Sequence, residues 1–80
     1  MSTASKTAAA LARLAGMPPP PNKRKPWRVF GPGERYEDRP SENKAYELVR
    51  SLLPGLGEGE TVTVYVYEHG RWVLFEILPD

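Results

Sequence analysis

The chain has 80 residues, room for one domain at most, and no cysteine, which excludes disulfide staples and thiolate zinc sites. Its net charge of +1 hides a division: Met1–Arg28 holds six basic residues and no acid, whereas Val29–Asp80 holds five basic and ten acidic residues. A basic tail (1–26) therefore precedes an acidic module (27–80), and a module this short buries only about 60% of its unfolded surface, so its stability is marginal.

The tail carries helix-forming residues over about 5–15, with Leu11 and Leu14 one turn apart beside Ala8 and Ala15. A helix this short frays in water unless something receives that stripe, so the tail is expected to be flexible, with Leu11 and Leu14 as its contacts if it docks. Residues 18–26, Pro18-Pro19-Pro20-Pro21-Asn22-Lys23-Arg24-Lys25-Pro26, read as a stiff, extended linker, because proline resists both helix and central strand.

Trp27–Phe30 reads as a strand and Glu34–Glu37 as its hairpin partner across Gly31-Pro32-Gly33, with Asp38-Arg39-Pro40 turning away. A helix follows: Ala45, Leu48, Val49, Leu52 and Leu53 repeat at the 3.6-residue period, Ser41 is the N-cap and Pro54-Gly55 the stop. After the glycine-rich stretch 55–59, strands Thr61–Glu68 and Arg71–Leu78 close on His69-Gly70 as a two-residue turn. An uninterrupted register turns Val62, Val64, Val66, Val73, Phe75 and Ile77 toward the helix. The predicted class is α+β, a small antiparallel sheet of about four strands (ββαββ) with one helix packed on one face.

The same register turns Tyr65, Tyr67, Trp72 and Leu74 to the other face, which one helix cannot also cover. Large aromatic side chains there point to an interface, whose occupant is the tail helix, a second copy of the chain in a homodimer, or a foreign protein. Nucleic acid is the competing partner, reached through the tail only: Lys23, Arg24, Lys25 and Arg28 supply phosphate contacts, while the net charge of minus five beyond Arg28 repels a polyanion. Catalysis is not expected. His69, the single histidine, sits in a turn without a nucleophile near it in sequence, and the carboxylates fall in solvated loops. No cofactor or metal set is legible, and the alanine-rich stretch 8–14 is too short and interrupted to span a membrane, so the expected location is the cytoplasm.

The strings Trp27-Arg28-Val29, Lys44-Ala45-Tyr46-Glu47-Leu48-Val49, Val62-Thr63-Val64-Tyr65-Val66 and Gly70-Arg71-Trp72 resemble small orphan proteins encoded by bacteriophages of actinobacteria, over about residues 26–77. That resemblance implies an accessory product acting in the host cytoplasm by binding a host protein, and it brings no catalytic residues. The chain is also similar to the arm-type DNA-binding domains of tyrosine recombinases. Those place three strands before their helix, whereas here two precede it and two follow, and this sheet hairpin lacks their basic residues.

Overall fold

Residues 3–79 are described by the computed structural model, which runs α1 (Thr3–Arg13), β1 (Trp27–Phe30), β2 (Tyr36–Arg39), α2 (Glu42–Leu52), β3 (Val62–Glu68) and β4 (Arg71–Leu78), with 3-10 turns at Leu14–Gly16, Pro32–Glu34 and Leu53–Gly55. The strands form one antiparallel sheet in the order β2-β1-β3-β4, so the α+β class and the ββαββ order of the module hold.

Ser41 starts α2 by accepting the backbone N–H of Lys44 at 3.2 Å, which satisfies one of the unpaired donors of the first turn. The apolar stripe of α2 then packs over β1, β2 and β3, where Val29, Ala45, Val49, Val62 and Val64 make a dry cluster with Leu48, Leu52, Leu53 and Leu78 around it. Each large apolar side chain fully buried here is worth about 1.5–3 kcal/mol, which makes this contact the main hydrophobic term on that side.

The β3–β4 hairpin turns on His69 (φ 54°) and Gly70 (φ 80°), both left-handed as a two-residue turn that follows the strand twist demands. Register runs as the sequence predicts from Glu68↔Arg71 to Tyr65↔Leu74, then slips. Val64 pairs with Glu76, so Phe75 is the extra residue of a β-bulge and every later residue of β4 changes face. Leu78 thereby joins the α2 core in place of Ile77, and Phe75, expected inside, is 47% exposed. The first hairpin differs as well. Its second strand begins two residues later than expected, at Tyr36, and Asp38 and Arg39 belong to it, opposite Arg28 and Trp27.

The opposite face of the sheet is covered too. Helix α1 begins at Thr3, earlier than the expected 5–15 span, and crosses that face before the chain returns as the proline-rich stretch. Ala10 is buried against the sheet, and Leu14 and Met17 pack on Phe30, Tyr65 and Trp72. The result is three layers, helix on sheet on helix. Leu14 makes the contact foreseen for it, but Leu11 is half exposed and points away.

Because Ala10 rather than Leu11 faces the sheet, the two positions separate by mutation. Ala10→Glu puts an unpaired carboxylate against buried rings and is expected to lower the melting temperature and red-shift tryptophan fluorescence, whereas Leu11→Glu changes stability by less than about 0.5 kcal/mol. Equal effects of the two would contradict this docking.

Candidate interaction surfaces

The aromatic face predicted as an open interface is an internal layer. Tyr65 is fully buried and Trp72 is 8% exposed, while Tyr67 and Leu74 are half-buried around them. The expectation of exposure fails because the tail supplies both the apolar cover and the polar partners that these side chains need. Tyr65 donates its hydroxyl to the Ala10 carbonyl at 2.6 Å and accepts from Arg13 Nη1 at 3.3 Å. The Trp72 indole N–H donates to the Pro18 carbonyl at 2.8 Å. Ring contacts tie the layer together, Phe30 meeting Tyr65 edge-on at 5.6 Å and Tyr67 meeting Trp72 at 5.1 Å.

Arg28, expected among the phosphate contacts, is fully buried and engaged elsewhere. Its place in β1, between the α2-facing Trp27 and Val29, turns it to the α1 side, where its strand partner is Asp38. The pair is bidentate, Nε to Oδ1 at 2.6 Å and Nη2 to Oδ2 at 2.9 Å, and Nη1 donates to the Pro18 carbonyl at 3.2 Å. The guanidinium lies between two rings, with Tyr36 at 4.3 Å and Trp72 at 4.5 Å. A charge in this position has no capacity left for a ligand.

Arg13 works similarly nearer the surface. It binds Glu34 through two bonds, at 3.0 and 3.2 Å, and lies over Phe30 at 4.1 Å. Burial opposes its charge, but the hydrogen bonds to Glu34 and Tyr65 outweigh that and raise its pKa; the same bond holds Glu34 below the usual carboxylate value. Tyr65 is pushed up by burial, partly offset by Arg13. Tyr46 is pushed far above the ordinary phenol value, first by burial and then by the Glu76 carboxylate to which its hydroxyl donates.

Two surfaces remain open. One is the β4 side of the α2 face: α2 sits mainly over the other three strands, and along β4 Trp27 and Tyr46 meet Phe75 edge-on at 4.9 and 6.3 Å. An uninterrupted register puts Phe75 in the core and hides this strip, which only a bulge signal in β4 reveals. The other is the turn 22–25, which presents Lys23, Arg24 and Lys25 to solvent. A third concavity, about 720 Å³ between β2 and α2, is lined by Val29, Tyr36, Leu48 and Leu52 with Glu34, Arg35 and Glu37 at its rim.

Among the described residues no group of three or more His, Asp or Glu side chains is placed to hold a metal, and no helix is long and apolar enough to cross a membrane. No protein-family model matches the chain, and no curated protein or solved structure does either.

Two measurements check this geometry. Asp38→Ala leaves Arg28 buried without its counter-charge and should cost about 3–5 kcal/mol in urea unfolding, with part of the loss recovered by adding Arg28→Met; a cost below about 1 kcal/mol would mean that the pair is solvated. In an alkaline titration followed by tyrosine absorbance, Tyr46→Phe and Tyr65→Phe should each remove a component that ionises above the free-phenol value of about 10. A phenol with a raised folded pKa adds stability that is whole below the unfolded value of about 10 and is lost as pH climbs from there through the folded pKa, so unfolding should set in on the alkaline side. Loss of a component at or below pH 10 would contradict the burial of these hydroxyls.

Proposed function

We propose that the chain is a non-enzymatic accessory protein of the actinobacteriophage type, acting in the host cytoplasm by binding a host protein. The observation that carries this reading is the exposed Phe75. A bulge removes it from the core, Trp27 and Tyr46 hold it edge-on, and it stands beside a free strand edge. Aromatic side chains ordered before binding lose little rotamer freedom on contact, which makes such a group an interface anchor.

The edge adds a second element of recognition. Among the described residues β4 has a neighbour on one side only, and its outer backbone groups can accept an extended segment, with Phe75 and Val73 offering side-chain contacts on the α2 side. β2, the other edge, is shorter and its charged residues are mostly engaged: Asp38 by Arg28 and Glu37 by Arg39. This moves the protein-binding surface from Tyr65, Tyr67, Trp72 and Leu74, which the tail occupies, to Trp27, Tyr46 and Phe75. The strip also fits the homodimer reading, two β4 edges meeting across a two-fold axis, and sedimentation of the purified protein decides whether it does.

Capture from an actinobacterial host extract tests the surface. Phe75→Ala should keep the circular dichroism spectrum and lose at least about tenfold in captured partner, while Tyr36→Ala on the far edge captures normally. Undiminished capture by the Phe75 variant would reject the site.

A further inference from the structure

We infer that one end of the sheet is a docking site for the phosphate backbone of a nucleic-acid duplex, built jointly by the proline-rich stretch and the β3–β4 hairpin. Along the chain the cations crowd into the tail and the acids into the module; the fold mixes them. Pro26 extends the β1–β3 ladder, its carbonyl accepting the Tyr67 N–H at 2.7 Å, and Tyr67 in turn pairs with Trp72. The next row outward therefore carries Lys25, Glu68 and Arg71. Two strand spacings set the Lys25 and Arg71 backbones about 10 Å apart.

The turn that carries the other cations has a defined shape. Asn22 accepts the Arg24 N–H on its side chain at 2.9 Å and the Lys25 N–H on its carbonyl at 2.9 Å. It is anchored on both sides, by the Pro18 carbonyl under Trp72 and Arg28 and by Pro26 on β3. Among the described residues Lys23, Arg24, Lys25 and Arg71 are exposed and enter none of the ion pairs, which join Arg13 to Glu34, Arg28 to Asp38, Arg39 to Glu37 and Lys44 to Glu47. Glu68, opposite Arg71, is an exposed acid of that row outside those pairs.

A duplex is favoured over a single strand because the rings on the face that the cationic turn adjoins are covered. Proteins that hold unpaired strands stack bases on exposed aromatics, and here Tyr65 and Trp72 are buried under the tail, with Tyr67 packed on Trp72. Fixed cations without a stacking platform suit phosphates held at regular spacing. This site adjoins the Phe75 strip along β4, and the Arg71→Ala and Phe75→Ala variants tell the two proposals apart.

The test is fluorescence anisotropy of the full chain with labelled mixed-sequence duplexes of about 20 bp, DNA and RNA in parallel, from about 50 mM salt upward. Four cations predict a slope of log affinity against log salt of about −3 to −4. Arg71→Ala should flatten that slope by about one unit, Lys23→Ala with Lys25→Ala by about two, and Glu68→Gln should raise affinity about twofold. Phe75→Ala should bind as the parent does. A preference between the two duplexes names the source of the phosphates. The proposal is overturned by an absence of binding at 50 mM salt, by a slope that Arg71→Ala leaves unchanged, by a single strand bound as tightly as the duplex, or by poly-glutamate failing to be distinguished from it, which would assign the patch to an acidic protein.

Discussion

A buried arginine sets the terms for this fold. Taking the Arg28 guanidinium out of water costs several kcal/mol, and only a partner of matching geometry makes that tolerable. Asp38 supplies two parallel bonds, the Pro18 carbonyl a third, and Tyr36 and Trp72 close the two faces. Each requirement constrains a different segment. Asp38 fixes the register of β2 on β1, Trp72 belongs to β4, and Pro18 lies in the stretch that leads back from α1.

Pro18 is where these constraints meet, since its carbonyl accepts from both Arg28 and Trp72. Proline has no N–H to satisfy and an extended backbone, so a carbonyl in such a run is free to serve others. With Pro18 held there, the preceding residues are drawn over the face: Leu14 and Met17 meet the rings, and the Ala10 carbonyl takes the Tyr65 hydroxyl. No buried side-chain donor or acceptor among the described residues lacks a partner, which is the condition for a polar layer to sit between a helix and a sheet. α1 is too short to be stable by itself; its stability comes from what it covers.

Much of the α2 side was legible in sequence because it rests on local rules. The period of Ala45, Val49 and Leu52, the Ser41 cap and the two-residue turn at His69-Gly70 all act within a few residues. What was not legible depended on pairings across the chain. Arg28 reads as the last member of a basic run until the register puts Asp38 opposite it, and that register was hidden because Asp38-Arg39-Pro40 reads as a turn. The bulge at Phe75 carries no glycine or proline to announce it, yet it alone decides which of Ile77 and Leu78 is inside. Charge was misleading for the same reason: the acidic total of 27–80 says nothing of where Arg71 sits relative to Lys25.

Covering the ring face in cis has consequences for function. It removes Tyr65 and Trp72 from partner contact and holds the cationic turn at a fixed place on the sheet, leaving Phe75 as the exposed aromatic on the opposite side. The most direct check is hydrogen exchange at the Trp72 indole by NMR. The packing predicts exchange slowed by at least about a hundredfold relative to free indole, with through-space contacts to Pro18; exchange at the free rate with no such contact would mean that the tail does not lie on the sheet.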